Sequence, residues 1–531
     1  MYLLFPGRHH LLTNFQFNYL FRLIQSNLGS VTDINGRMLE IFQPVEAIIF
    51  AVTSANHSHT RRNPLPFYLR AIQLEDFADD LPVPTHIFGI DEVGILKNFA
   101  DYTLKRIAHD SDGKFILSPE NTLVVCSTPV MAMYETLGFK ILPAELSDRK
   151  KQTFAAPVPW DVVEKIAGST HWLQDTWVIE HIHPASVNVW KRYGYAEKVQ
   201  ILFRDKIIGE DGDITETRDY NSYVRQMDEI AELKFKETET HIREGRIGDI
   251  GCAVGSWIKL ACLNPVLQES DFYGIEVSRH LYALCQQRKM NGEFGNPFVF
   301  FAQKNAVTGL VFEKNSMHTI HTSSLTHEIE SYGNREDLLK FIKNRFEELT
   351  FGGIWINRDV VAPENPDEMI VMELSDEDGR NQDWEKDFDD RQSLANYLQE
   401  LSTYSRFLRF VRDFRRKEGD IFEYGMIRGS KKRVGLKLRN AMEFVMKKDY
   451  TDNWQSEMHE KFCFWTFEDW KQHLEAAGFF VLSASNAYTN DWIVKNRLEG
   501  SVTFYKQHNK GLQKMDFPVT HTLLLAEKRL I

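Results

Sequence analysis

A chain of 531 residues with 43% apolar and 26% charged side chains has an ordinary soluble-protein composition, and it is too long for a single hydrophobic core. A formal net charge of −12 argues against nucleic-acid binding by the whole surface, and no run of about 18 apolar residues is present to cross a membrane. The five cysteines are scattered without CxxC or Cys/His spacing, which predicts reduced thiols in a cytoplasmic protein and no metal.

The opening Tyr2-Leu3-Leu4-Phe5, followed by Pro6-Gly7, reads as a strand and lacks the basic region and long apolar core of a secretory signal. Further strands are predicted at Ala47–Val52, Thr85–Ile90, Thr122–Cys126 and Phe139–Leu142, with helical patterns between them at Phe17–Ser26 and Leu65–Phe77. Such alternation predicts a parallel sheet with helices on its faces in residues 1–170. Residues 171–245 read as a helical connection ending in the charged, helix-periodic Tyr220–Ile242.

A second α/β unit is predicted over 246–531. Its strands are Ile247–Ile250, Phe272–Ile275, Phe298–Phe301, Thr319–Thr322 and Gly353–Val360, with two late ones at Phe480–Ala487 and Thr520–Ala526. Between the fifth and the late strands lies an insertion, 361–462, read as a mostly helical lid. Residues 361–400 carry 13 acidic and 3 basic side chains, and residues 401–450 carry 14 basic and 6 acidic. Within the basic half, Arg406, Arg409, Arg412, Arg415 and Arg416 recur at helical spacing, the pattern of a solvated helix face. The fold class expected is therefore α/β, with two doubly wound sheets.

The most informative stretch is Asp249-Ile250-Gly251-Cys252-Ala253-Val254-Gly255. It reads as a strand end, a glycine turn and a helix start. The next strand ends in Glu276. Glycines allow close backbone approach to a ligand, and a carboxylate at the neighbouring strand end can take ribose hydroxyls. Asn305-Ala306 follows the third strand. His318–Ser324 forms the fourth and runs into Leu325-Thr326-His327-Glu328-Ile329, and the fifth ends in Arg358-Asp359.

In this order the stretches resemble class I S-adenosylmethionine-dependent methyltransferases over the whole of 246–531. The resemblance implies S-adenosylmethionine as cofactor. It would be held by Asp249, Gly251, Cys252, Ala253, Gly255, Glu276, Asn305, Ala306 and Ser323, with His327, Glu328, Arg358 and Asp359 as catalytic candidates near the acceptor. The expected acceptor is a small molecule.

Residues 1–165 resemble nucleotidyltransferases of the nicotinamide-mononucleotide adenylyltransferase type. The likeness rests on the stretches Phe5–Gln16, Thr53–Pro64 and Asn121–Phe139. It implies a nucleotide or phosphorylated ligand near Gly7, Arg8, Thr13, Gln16, Ser54, Asn56, Arg62 and Asn63. The family's phosphate loop is altered, however. Phe15 stands where a glycine and Gln16 where a histidine are expected, and Ala155–Trp160 replaces a second Ser-Gly-Thr-x-x-Arg motif. Losing both clamps removes the electrostatic terms of phosphoryl chemistry, so binding or a structural role is expected, with His9 and His10 as possible replacement charge. Three alternatives stay open: a bifunctional nucleotidyltransferase and methyltransferase, a methyltransferase acting on RNA through the basic segment, and a ligand-binding scaffold without catalysis.

Overall fold

A computed structural model describes the chain except residues 30, 94–97, 206–208, 210–219, 431, 510 and 531, and the side chains of 220–223 and 226. The chain is mixed α/β and divides into two compact units with the boundary at residues 206–213. No described helix is long and apolar enough to cross a membrane.

The first unit is built on five parallel strands, Tyr2–Gly7, Ala47–Thr53, Thr85–Ile90, Thr122–Val125 and Ile141–Leu142, with Tyr2–Gly7 in the middle. Successive side chains alternate between faces. Leu3, Phe5, Ile48 and Phe50 meet Leu20, Leu23, Leu74 and Phe77 on one side, while Leu4, Ile49 and Val124 meet Ala100, Ile107 and Tyr134 on the other. Burial on both faces explains why these strands read as unbroken apolar runs.

The expected connection 171–245 is not one piece. Trp172, Val178, Ile182, Val189, Trp190 and Tyr195 lie on short helices that share a core with Leu11, Leu65 and Leu69 of the first unit. Helix Tyr220–Thr238 belongs to the second unit, where Trp257 Nε1 donates to Thr238 Oγ1 at 3.0 Å and Arg288 pairs with Asp228 at 2.7 Å.

The second unit's main sheet begins with five parallel strands: Arg246–Ile250, Asp271–Glu276, Val299–Gln303, Met317–Ser323 and Leu349–Val360. Their spatial order is third, second, first, fourth, fifth. The chain therefore reverses direction of winding between Arg246–Ile250 and Met317–Ser323. The last strand, His521–Lys528, lies antiparallel beside the fifth. The expected strand Phe480–Ala487 is split into Phe479–Val481 and Asn486–Tyr488, both paired to the last strand. Apolar layers cover both faces: Ile247, Phe272, Trp257 and Ile258 on one, Ile250, Ile275, Phe341 and Trp355 on the other.

Helices make up most of the regular structure of the insertion, as the sequence suggests, but it also carries strands that the sequence reading missed. Helices Arg391–Glu400, Thr403–Asp413 and Leu438–Lys447 are present, but so is a five-stranded antiparallel sheet. Met369–Leu374 lies at its centre, between Arg433–Lys437 and Val502–His508, so residues after 462 complete it. Phe407, Phe410, Phe444, Trp454, Leu498 and Phe504 share its core. The arginine row is not a solvated face. Arg406 pairs with Asp449 at 3.0 Å, Arg409 with Asp413 at 2.5 Å, Arg415 with Asp420 at 2.6 Å, and Arg412 with Asp387.

A fully buried ion pair holds the sheet's lower edge. Glu348 accepts from Arg345 at 2.7 and 2.8 Å and from the backbone N–H groups of Val311 and Phe312. Removing one partner leaves a buried charge without its counter-ion. Glu348→Ala is expected to cost about 3–5 kcal/mol in equilibrium urea unfolding. Lys105→Ala, which breaks an exposed pair with Asp101, is expected to cost less than about 1 kcal/mol.

Candidate active site

Ligands of open α/β sheets bind outside the carboxyl ends of the strands, where the strand order reverses. A cavity of about 720 Å³ lies at this place in the second unit. Gly251, Ala253 and Gly255 all have positive φ, at 73°, 51° and 76°. This left-handed sequence turns the chain from the first strand into helix Ser256–Leu263, and a glycine takes it without a Cβ penalty. The Gly251 and Cys252 N–H groups are tied to Ile275 O at 2.8 and 3.2 Å, which locks the turn against the second strand.

Glu276 closes that strand. Its carboxylate accepts from the backbone N–H groups of Val277 (2.8 Å), Ser278 (2.9 Å) and Ala253 (2.9 Å). Burial nevertheless pushes its pKa up to about 7, against the pull of these hydrogen bonds. Asp249 is buried and accepts from His321 Nδ1 at 2.7 Å, and His321 stacks flat on Trp257 with ring centroids 4.1 Å apart. His321 Nε2, Ser278 Oγ and Ser323 Oγ are buried among the cavity-lining residues, with no hydrogen-bond partner among the described residues.

Across the cavity stands His327, on helix Thr326–Tyr332. Its Nδ1 donates to Asp359 Oδ1 at 2.6 Å, and its Nε2 lies 3.4 Å from Glu460 Oε2. Burial alone would lower the imidazole's pKa, but the Asp359 and Glu460 carboxylates outweigh it and hold it well above its ordinary value. Asp359 also takes the N–H and hydroxyl of Thr326, at 2.7 and 2.6 Å, and the N–H of Leu325. Despite its burial, His327 and these donors hold its carboxyl far below the usual range.

Of the residues singled out from the sequence, Asp249, Gly251, Cys252, Ala253, Glu276, Asn305, Ala306, Ser323, His327 and Glu328 line this cavity. Three do not. A Cβ on Gly255 would meet the rings of Phe294 and Phe301 at 3.1 Å, so Gly255 serves packing and the turn. Arg358 points to the other face of the sheet, where it bonds Glu237 of helix Tyr220–Thr238. Asp359 sits behind His327, as its support.

The sequence reading missed much of the wall. Ile230, Leu233 and Lys234 come from the helix taken as a connection, and Met446, Tyr450, Asn453 and Phe462 from the insertion. Burial pushes the Lys234 ammonium down to about 8, with Arg358 adding to the effect. His321 was legible only as a strand residue facing Asp249 across a parallel pair.

In the first unit the chosen residues are gathered by Arg70. Its guanidinium donates to the carbonyls of Arg8, Thr53, Ser54 and His57 at 2.8–3.3 Å. Thr13 and Gln16 form a reciprocal cap on helix Asn14–Gln25, and Gln16 also donates to Glu145 at 2.8 Å. Ser54 and Asn56 bond Glu92, Asn63 faces His10 at 3.4 Å, and the exposed Arg62 accepts from Arg8 through its carbonyl. Gly7 lies against the His9 ring, which a Cβ would meet at 3.1 Å. His9 and His10 do not replace lost positive charge: burial pushes His9 down to about 4 and His10 well below its ordinary value.

No protein-family model and no curated protein matches the chain. Among solved structures it is similar to the 4+2 cyclase SpnF, at 14% identity over 58% of this chain and 83% of that one, with a TM-score of 0.31. It is also similar to an S-adenosylmethionine-dependent methyltransferase from Clostridium acetobutylicum (12%, 59% and 99%, 0.29). A third is geranyl diphosphate C-methyltransferase from Streptomyces coelicolor, in complex with Mg²⁺, geranyl diphosphate and S-adenosyl-L-homocysteine (8%, 60% and 88%, 0.29). At such scores the site's own geometry has to carry its reading.

Glu276 gives that geometry a pH signature. Its folded pKa of about 7 lies above the ordinary 4.5, so between these values the folded state binds more protons than the unfolded one. Stability therefore falls as pH rises through this window. Relative to Glu276→Gln, the wild type is expected to lose roughly 3 kcal/mol between pH 4 and pH 8, read from urea unfolding at each pH.

Proposed function

We propose that the second unit is an S-adenosylmethionine-dependent methyltransferase acting on a small-molecule acceptor. The observation that carries this reading is the left-handed Gly251–Ala253 turn beside the Glu276 carboxylate, both on the cavity wall where the strand order reverses. Glu276 would hold the ribose hydroxyls, Asn305 and Ala306 would flank the adenine, and the Gly251–Ala253 turn would run beside the amino-acid end. When bound, the cofactor supplies a methyl group already activated on a sulfonium. The protein's part is to position an acceptor and exclude water. A cavity of about 720 Å³ falls within the range of small-molecule sites. His327 and Glu328 stand on its acceptor side, facing the insertion.

Isothermal titration with S-adenosylhomocysteine tests the reading. Binding is expected, and Glu276→Ala should weaken it about 10- to 100-fold, the worth of one or two hydrogen bonds to a charged group. Wild-type affinity should rise with pH through about 7, because ligand hydroxyls donate to the ionised carboxylate. Absence of binding in the wild type would overturn the proposal.

For the first unit we propose a role in holding a phosphorylated ligand or in structure, without adenylyl transfer. Several of its polar side chains are bonded internally, Gln16 to Glu145 and Arg70 to four carbonyls, and burial disfavours the charged form of both histidines. Incubation with ATP and nicotinamide mononucleotide is expected to release no pyrophosphate above a blank, and steady release would restore the bifunctional alternative.

A further inference from the structure

We infer that His327, Glu328 and Glu460 form a binding site for one divalent transition ion at the wall of the cavity. One ligand atom from each of the three lies within 4.8 Å of the others, although Glu460 follows the two helix residues by more than 130 positions. Sequence spacing predicts no metal because the third ligand is brought in by the insertion.

The groups behind the two most buried ligands are arranged as a metal site requires. A ligating imidazole keeps its other nitrogen bonded to a carboxylate or carbonyl, which fixes ring and tautomer. Here Nδ1 of His327 is held by Asp359 at 2.6 Å, and that leaves Nε2 turned towards Glu460. Asp359 is itself fixed by Thr326, Leu325 and Val360. Glu460 has the same arrangement. Its Oε1 accepts from Tyr332 Oη at 3.2 Å and from Ser456 Oγ at 3.5 Å, while Oε2 faces His327.

The segments that carry the ligands are also bonded to each other. The Lys461 N–H donates to Ser331 Oγ at 2.7 Å, and Tyr332 Oη meets Ser456 Oγ at 2.8 Å. Phe462 packs edge-on to the imidazole with centroids 4.9 Å apart and shields it.

The spacing between the two most buried ligand atoms also suits an ion. A charge-assisted N–H···O bond closes to about 2.7–2.9 Å. His327 Nε2 and Glu460 Oε2 remain 3.4 Å apart. Two donors on one ion, at about 2.0–2.2 Å each, are separated by about 2.8–3.1 Å at a right angle and about 3.3–3.6 Å at the tetrahedral angle. One imidazole with two carboxylates suits Zn²⁺, Fe²⁺, Co²⁺ or Mn²⁺. His327 and Glu328 line the cavity, so remaining coordination positions would be open to an oxygen of the acceptor. That last step rests on the methyl-transfer reading, whereas binding of the ion does not.

The test uses the full chain, dialysed against a chelator and then titrated with Co²⁺ alone, followed by visible absorption and by calorimetry, with no methyl donor present. One Co²⁺ per chain with d–d absorption bands is expected, displaced by Zn²⁺. Glu328→Gln, isosteric and only half-buried, should weaken binding at least tenfold with an unchanged circular dichroism spectrum, and Glu460→Gln should do the same. Asp452→Asn, a cavity acid outside the cluster, should bind as the wild type does. No saturable Co²⁺ binding, or binding that Glu328→Gln leaves intact, overturns the site. Because S-adenosylhomocysteine binding is measured separately, either reading can fail without the other.

Discussion

The second unit's site depends on what happens at the end of its fifth strand, where two adjacent residues staple the two walls of the cavity. In a strand, neighbours point to opposite faces. Arg358 therefore goes one way, to Glu237 and helix Tyr220–Thr238, and Asp359 the other, to His327 and helix Thr326–Tyr332. A carboxylate with no exposure is tolerable only when every lone pair is used. Asp359 meets this condition with an imidazole, a hydroxyl and several backbone N–H groups. Breaking either contact would loosen a wall before it touched a ligand. This explains how two residues with no surface on the cavity still set its shape.

The insertion extends the same logic. Its acidic and basic halves neutralise one another through pairs such as Arg433–Glu373, Arg439–Asp367 and Arg412–Asp387, so the charge asymmetry of the sequence largely disappears on folding. The cavity wall keeps charges of both signs, with Asp452 and Glu457 beside Lys234, Lys304 and Arg497.

The main sheets were legible because parallel strands buried on both faces announce themselves as apolar runs, and because Gly251, Gly255 and Glu276 occur where a strand must turn. The remaining features were hidden for physical reasons. Helix Tyr220–Thr238 looks like a charged connector because, among its described side chains, the buried ones form a narrow inner stripe that includes Ala231 and Phe235. The strands of the insertion are short and are completed by residues after 462, so no local pattern announces them. Gly255 and Arg358 carried the right residue types at the right offsets, yet a glycine needed for its φ need not touch a ligand.

The two units also show how differently the same kind of sheet edge can be used. Around Arg70, each guanidinium contact goes to a backbone carbonyl, and the neighbouring histidines are kept neutral by burial. That edge has converted its polar groups into scaffold. Around Gly251 the buried His321 Nε2 and Ser323 Oγ are left without partners among the described residues. At the first edge His10 Nδ1, Asn63 Nδ2 and Arg70 Nε are likewise buried without partners among the described residues, so unpaired atoms do not separate the two edges. What sets the second edge apart is the left-handed Gly251–Ala253 turn beside the buried Glu276 carboxylate, both on the cavity wall.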